Sequence, residues 1–136
     1  MAWPPRAGVP VDQVFPASHV IASTEQSLRN LGLERIVVQQ FHVWADAWCG
    51  QGDWLEAIVR LKQQGKIAHF GVSINDHDSD NAIALIETGL VDSVQVVYNI
   101  FEQGPAERLL PACLRHNVGV IVRAALDEGG LTGAIG

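Results

Sequence analysis

Four short apolar runs, rich in β-branched residues, alternate with helical patterns along most of this chain. The runs are Arg35–His42, Ile67–Ile74, Ser93–Asn99 and Val118–Arg123. Apolar residues at helical spacing occupy the segments before and between them, and Gly32, Gly65 and Gly89 stand where those helices would end. Because strands that alternate with helices pair in parallel, the pattern predicts an α/β fold with four parallel strands and flanking helices.

Polar side chains stand where these predicted strands end. They are His42, Ser73 with Asn75, Gln95 with Tyr98 and Asn99, and Arg123. Barrels of alternating strands and helices carry their chemistry at the carboxyl ends of the strands. The sequence therefore predicts a functional site at this edge of the sheet.

The size of the chain limits how complete such a fold can be. The chain has 136 residues, whereas a barrel of eight strand–helix units takes roughly 250 residues. We therefore expect residues 17–136 to form half of a (β/α)8 TIM-type barrel. Residues 1–16 contain four prolines, which prevent a long helix, so we expect an irregular N-terminal arm there.

Half a barrel leaves two strand edges and an inner face without cover. We expect that face to carry Val38, Val72, Val96 and Ile121, or their neighbours along each strand, and to lie open to water. Such a surface favours aggregation unless something covers it. Two copies related by a two-fold axis would pair edge to edge and complete eight strands. We therefore predict a homodimer, with an arm folded over the open face as the alternative.

Composition narrows the classes of partner. Hydrophobic residues make up 48% of the chain and charged residues 18%, which favours a folded chain over a disordered one. The net charge of −6 argues against nucleic acid and acidic membranes as partners. No apolar run approaches the roughly 20 residues that span a bilayer. Two cysteines without CxxC spacing predict reduced thiols in a cytoplasmic protein.

A run of acidic residues offers possible metal ligands. An acidic run with one histidine follows the second predicted strand: Asp76, His77, Asp78 and Asp80. Such oxygens bind hard cations, but a solvated loop in which Asp78 or Ser79 caps the third helix explains them better, so no metal is predicted.

Asp53 is the predicted cap of the second helix. Three tryptophans are expected to line a substrate pocket, to cover the barrel rim or to form a subunit contact: Trp44, Trp48 and Trp54.

Four successive blocks resemble the aldo-keto reductases. SLRNLGLERIVVQQFHVW is similar to the family pattern SLxRLGxDYIDLYQLH, and QGKIAHFGVSI is similar to GKIRYIGVSN. VDSVQVVYNIFEQ resembles IDxVQVEYNLFDR, and HNVGVIVRAALDEGGLTG resembles HGVGVIAYSPLGRGLLTG. The resemblance covers residues 17–133 and implies part of an eight-stranded barrel. It also implies an NADP(H)-dependent oxidoreductase that acts on a small carbonyl or aldehyde substrate.

The resemblance implies a role for several strand-end residues. His42 matches the catalytic histidine, whose imidazole donates to a carbonyl oxygen as negative charge develops there. Gln95 and Ser73 match residues that bind the nicotinamide carboxamide, and a glutamine amide offers both the donor and the acceptor that this needs. The asparagine that follows the family serine is shifted by one position, because Ile74 intervenes before Asn75.

Arg123 occupies the position at which many members of that family have a tyrosine that stacks on the nicotinamide. A guanidinium stacks on planar rings and also pairs with phosphate. It would equally suit an inward charge that pairs with a carboxylate such as Asp127 or Glu128. The EGGLTG segment matches the family's loop near the pyrophosphate, where glycines allow close backbone approach.

The resemblance also implies an Asp, a Tyr and a Lys from segments that precede this region, and none has an aligned counterpart here. Tyr98 falls on the strand-end YN pair, while Lys62 and Lys66 lie at a predicted helix end. Two functions therefore compete. One is a carbonyl reductase that works in a self-assembled barrel or beside a complementing half. The other is a truncated, non-catalytic homologue that acts as a scaffold, binding or interaction module.

Overall fold

The computed structural model describes residues 8–74 and 78–134, so the predictions for Asn75, Asp76 and His77 lie outside the described residues. Four parallel strands form one sheet in the order β1-β2-β3-β4. Their bounds are Ile36–Phe41 for β1, Ile67–Ser73 for β2, Ser93–Val97 for β3 and Gly119–Arg123 for β4. The predicted α/β fold with parallel strands is confirmed, and each strand begins and ends within two residues of its predicted bounds.

Four α-helices connect or precede the strands. They are α1 Ala17–Leu31, α2 Trp54–Gln63, α3 Ile83–Glu87 and α4 Leu109–His116. Pro105 lies in a separate 3-10 turn, Gly104–Ala106, and α4 begins only at Leu109. No helix in the described part of the chain is both long enough and apolar enough to cross a membrane.

The chain divides into two compact units. The first comprises the residues up to Gln40 together with Ala47–Phe70, and it contains α1 and α2. Its core includes Trp54, which is 1% exposed and stacks at a tilt on Phe70 with 5.6 Å between ring centroids. Burying two aromatic side chains supplies a large share of the free energy that stabilises such a small unit.

The segment before α1 is attached to this first unit. Val11 is buried, and the Trp48 indole N–H donates to the Val9 carbonyl over 2.8 Å. The Phe15 ring meets the Trp48 ring edge-on at 5.9 Å. Gly52 lies against the same segment with φ of 69°, and a side chain there would overlap Val11. A glycine is therefore required at position 52 for both its backbone angle and its close approach.

The second unit comprises Phe41–Asp46 and the residues from Gly71 onward, with α3 and α4 in contact. Val72 and Val96 are buried at 0% and 3% exposure, so these two, among the residues and neighbours named for the open face, do not lie open to water. Each lies directly beside Ser73 or Gln95 in its strand and so points to the opposite side of the sheet. A displacement of one residue in a strand reverses every facing, which is why the prediction included the neighbouring residues.

Candidate active site

Three of the predicted site residues share one face of the sheet. Ser73 and Gln95 are register partners at the end of β2 and in the middle of β3. Arg123 is the register partner of Val97, which lies two residues beyond Gln95. Side chains two residues apart in a strand, and at paired positions in neighbouring parallel strands, point to the same side. The carboxyl ends of three strands therefore bring Ser73, Gln95 and Arg123 together.

The end of β2 is joined to both of the following strands. The Ile74 N–H donates to the Gln95 carbonyl over 2.8 Å, which continues the ladder one residue past Ser73. The Arg123 Nη2 donates to the Ile74 carbonyl over a long 3.5 Å. Since β3 lies between β2 and β4, the Arg123 side chain crosses the carboxyl end of β3. Its guanidinium therefore lies on the same side of the sheet as Gln95, beyond it along the strands.

Asn99 fixes the backbone immediately after Arg123. Its Nδ2 donates to the Ala124 carbonyl over 3.0 Å. Its Oδ1 accepts from the backbone N–H groups of Phe101 and Glu102 at 2.8 and 2.9 Å. Ala124 has φ of 52°, a left-handed conformation that costs a residue with a Cβ about 1–2 kcal/mol. One amide side chain thus holds together the loops that follow β3 and β4.

His42 follows β1 directly and is exposed. The loop that begins with it is fixed by four hydrogen bonds, which we call the loop clamp. The buried Trp44 donates from Nε1 to Asp46 Oδ1 over 2.9 Å. The Asp46 N–H donates to Asn81 Oδ1 over 2.9 Å, and Asn81 Nδ2 donates to the Trp44 carbonyl over 2.7 Å. The Ala84 N–H donates to Asp46 Oδ2 over 3.1 Å. The clamp therefore restrains the backbone from which His42 projects.

The loop clamp contains residues that the sequence did not reveal as important. Asp46 accepts from the first turn of α3, the role that was predicted for Asp78 or Ser79. It does so from a distance of 38 residues along the chain, which no local capping pattern reports. The only available signal was an acidic residue shortly after a strand-end His-Val-Trp. Trp44 serves as a buried hydrogen-bond donor, rather than as an exposed pocket wall.

The segment after Arg123 is acidic and unusual in its backbone. Asp127 and Glu128 have φ of 50° and 52°, and both are exposed. Backbone bonds from Gly129 to Leu126 and from Gly130 to Asp127 close two tight turns. Two adjacent carboxylates make the local potential negative, which weakens the binding of any phosphate at this position.

Two other observations limit the chemistry of the described residues. Within 8–74 and 78–134, no group of three or more His, Cys, Asp or Glu side chains is placed to hold a metal ion. Burial raises the pKa of the Cys113 thiol, and a thiol of raised pKa is a poor nucleophile at neutral pH. The candidate site therefore consists of an imidazole, a hydroxyl, an amide and a guanidinium.

Comparison with known proteins places these features in a family. The family model described as the aldo/keto reductase family matches residues 10–136. A curated relative, the NADH-specific methylglyoxal reductase of Escherichia coli K12, is 29% identical over 112 residues. That match takes in 80% of this chain and 33% of the relative. The chain therefore spans about a third of the length of the curated relative it matches.

Solved structures agree with this fold. The glycerol dehydrogenase from Gluconobacter oxydans superposes with a TM-score of 0.73 at 27% identity, over 89% of this chain and 36% of that one. An aldo-keto reductase from Klebsiella pneumoniae, solved in complex with NADPH, gives a TM-score of 0.63 at 29% identity. It covers 79% of this chain and 37% of its own. The four strands and their helices thus resemble part of a larger barrel.

Proposed function

We propose that this chain, which belongs to the aldo/keto reductase family, supplies the nicotinamide-facing strands of an NADP(H)-dependent carbonyl reductase. The observation that carries the proposal is the alignment of Ser73 with Gln95 at paired positions on one sheet face, with Arg123 beyond them. The relatives support it, because one is named as an NADH-specific reductase and another was solved with NADPH. The chain spans a third of the length of the curated relative, so we state reductase activity for this chain only as a proposal.

The donor set suits a carboxamide. Gln95 carries an amide, which pairs with a second amide through one donor and one acceptor, and the Ser73 hydroxyl adds a group that both donates and accepts. Ser73 is 9% exposed, so hydrogen bonds to it are shielded from competing water. Asn75, also predicted here, lies outside the described residues. A nicotinamide cofactor would supply the hydride; the protein side chains hold its carboxamide end in place.

His42 would act on the substrate. An imidazole N–H donates a hydrogen bond to the carbonyl oxygen, on which negative charge develops during reduction. The loop clamp keeps the segment after His42 fixed, which limits the positions from which the ring can donate. We propose that a second copy or a complementing half supplies the Asp, Tyr and Lys that the family resemblance implies.

The first experiment is a titration of the purified chain with NADPH and, separately, NADH, following cofactor fluorescence. We expect saturable binding with a Kd of about 1–100 μM. Gln95→Ala should weaken it about tenfold, because the carboxamide loses its paired hydrogen bonds. Gln64→Ala, at an exposed position after α2, is the matched control and should bind as the parent does.

The second candidate is a non-catalytic scaffold or interaction module. The exposure of β4 on both faces favours it, because Val120, Ile121 and Val122 are 37–43% exposed. On this reading the chain binds neither nicotinamide cofactor at millimolar concentration but still associates with a protein partner. Absence of saturation for both cofactors would reject the reductase proposal and leave this one.

We also propose that the chain forms a homodimer through its exposed strands, in a cytoplasmic setting. Val37 of β1 is 69% exposed, and the β4 residues are exposed on both faces. Parallel strands in stable proteins are normally covered on both faces. A second copy would supply strands and helices of the right kind to cover them.

A further inference from the structure

A groove of about 470 Å³ lies on the exposed side of α2, and we call it the helix groove. Leu55 and Val59 line it from the helix, and Gly52 lines it at the end where the helix begins. Val59 is 44% exposed. A groove of this size takes up a large side chain, and a segment that covers these apolar residues would remove apolar surface from water.

The charged residues along the helix groove differ in what surrounds them. The pKa of Glu25 is lowered first by Lys66 and to a smaller extent by Arg60, so the Arg60 guanidinium already faces a carboxylate. Glu56 lines the groove and is exposed. Within the described part of the chain the Glu56 carboxylate forms no ion pair. The groove therefore suits a segment that presents a large apolar side chain together with a cation.

Residues 1–7 join the folded chain beside one end of this groove. The Trp48 indole N–H donates to the Val9 carbonyl over 2.8 Å. Val11 and Asp12 lie so close to Gly52 that a Cβ at position 52 would overlap both side chains. Because Gly52 also lines the helix groove, the chain that precedes Gly8 starts next to it.

This N-terminal segment has the composition and the length that the groove requires. Its sequence, MAWPPRA, contains one large aromatic residue, Trp3, and one cation, Arg6. Consecutive prolines favour an extended conformation that rises about 3.1 Å per residue, so the stretch from Trp3 to Gly8 spans up to about 16 Å. α2 has 10 residues and is about 15 Å long. Trp3 can therefore reach the middle of α2.

We propose that residues 2–6 dock in the helix groove of their own chain. Trp3 then covers Val59. The Arg6 guanidinium, closer to the attachment point, pairs with the Glu56 carboxylate. The prolines restrict the segment before it docks, which lowers the conformational entropy that docking costs. A short tether also gives the segment a millimolar effective concentration at the groove, which favours it over the same segment of a second copy.

The proposed position bears on how the sheet is covered. The opposite side of α2 carries Ala57, Ile58 and Leu61, which are buried in the core of the first unit. A segment on the exposed side of α2 lies away from that core, so it is unavailable to cover a face of the sheet. The inference therefore favours the homodimer over an arm folded across the open face, and it does not depend on the proposed reductase function.

Trypsin cleavage after Arg6 tests the docking, because protease cleaves the undocked segment and the rate reports how often the segment is undocked. Mass spectrometry measures the initial release of residues 1–6 from the full 136-residue chain. The peptide MAWPPRAGVP is the reference for unprotected cleavage. We expect the chain to be cleaved at least about tenfold more slowly than the peptide. Equal rates would overturn the inference.

Substitutions on both sides of the contact locate the protection. Val59→Ser and Trp3→Ala should each speed cleavage of the chain about fivefold to tenfold, because each removes apolar contact. The rate for Trp3→Ala is compared with that of a peptide carrying the same substitution. Leu114→Ser changes an 85% exposed residue of α4 and should leave the rate unchanged. If Val59→Ser does not fold by circular dichroism, Trp3→Ala carries the comparison. Full protection in the folded variants would overturn the inference.

The contribution of charge is expected to be smaller. Glu56→Gln should speed cleavage after Arg6 about twofold to threefold at low salt and not at high salt, because an ion pair at the surface is screened. An effect of Glu56→Gln that is the same at both salt concentrations would overturn the pairing of Arg6 with Glu56.

Dilution distinguishes the segment of the same chain from that of a second copy. Docking within one chain gives protection that does not depend on protein concentration, whereas exchange of segments between copies is lost on dilution. We expect the same protection across a hundredfold range of concentration, set by the experiment. Protection that disappears on dilution would overturn the inference and assign the helix groove to a second copy.

Discussion

β3 and β4 are neighbours in the sheet and carry valine at two pairs of register positions on one face, yet they differ in burial. Val94 is 0% exposed, whereas its register partner Val120 is 37% exposed. Val96 and Val122, the next pair on the same face, are 3% and 43% exposed. The amino-acid pattern thus determines that both segments form strands, while the cover that each strand receives depends on its neighbours in space.

The difference identifies where association would stabilise the protein most. Burial of apolar surface stabilises a protein by about 25 cal/mol per Å². A strand whose two faces are already covered has little further apolar surface to bury. β4 retains exposed apolar surface on both faces, so a molecule that covers β4 would bury apolar surface and stabilise the protein. The same molecule would bury little apolar surface at β3. The proposed homodimer is one such cover.

The largest expected effect comes from truncating one valine of each pair. Val94→Ala should lower the free energy of unfolding by about 2–3 kcal/mol, because it removes two buried carbons and leaves a cavity. Val120→Ala should cost less than about 0.5 kcal/mol in the monomer, because Val120 is already solvated. Urea denaturation followed by circular dichroism measures both. Equal costs would show that β4 is buried in solution.

The next largest effect tests whether the loop clamp contributes to the stability of the protein. Asp46→Ala should destabilise the protein by about 2 kcal/mol, because the buried Trp44 indole and the Ala84 N–H both lose a charged acceptor. Asp78→Ala removes the exposed residue that local pattern would choose as the helix cap, and should cost less than about 0.5 kcal/mol. A reversed order of the two costs would reject the clamp.

These two comparisons also show what could be predicted from sequence. The strands were located because β-branched runs are bounded by glycines and polar residues, a local signal. The facing of Val72 and Val96 relative to their neighbours could not be decided, because their strands are almost continuously apolar and give no alternation. The bonding of Asp53 to the Ala17 N–H and of Asp46 to the Ala84 N–H was missed because the partners are 36 and 38 residues apart.

The predicted candidate site follows the same division. Neighbouring parallel strands end at the same edge of a sheet, so the proximity of Ser73 and Gln95 was accessible from the family pattern. The reach of Arg123 to Ile74 depends on a side-chain conformation that no spacing reports. The hydrogen bond from Asn99 depends on the left-handed backbone of Ala124. The sequence does not predict that conformation, because glycine is the usual residue in it.

A smaller effect tests β4 as an association surface. Val122→Lys should weaken dimerisation at least about tenfold, because it places a charge in the proposed interface. Val59→Lys is the matched control, since Val59 of α2 is 44% exposed and Val122 is 43% exposed. Sedimentation velocity across a concentration series measures both. A parent protein that stays monomeric at all concentrations would contradict the homodimer.

The end of β4 offers a stabilising substitution. Ala124→Gly should raise the free energy of unfolding by about 1 kcal/mol, because glycine adopts a φ of 52° without the Cβ penalty. Ala125→Gly, one residue later and not left-handed, should lower it by a few tenths to about 1 kcal/mol through chain entropy. Thermal unfolding measures both. Stabilisation by the second variant alone would reject the strained conformation at Ala124.

The smallest effect concerns an ion pair in the first unit. The Lys66 ammonium, which donates to Glu25, lowers the pKa of that carboxyl from its ordinary 4.5, with Arg29 and Arg60 adding attraction. Stability from this pair is therefore present above pH 4.5 and is lost as the pH falls through the lower folded pKa. Because the pair is at the surface and screened by salt, Glu25→Gln should lower the melting temperature only slightly at neutral pH and not at all in strong acid. Glu34→Gln is the control for removal of an exposed charge. If the loss of melting temperature in Glu25→Gln became larger in acid, its pH dependence would be opposite to that expected, and the ion pair would be excluded as its cause.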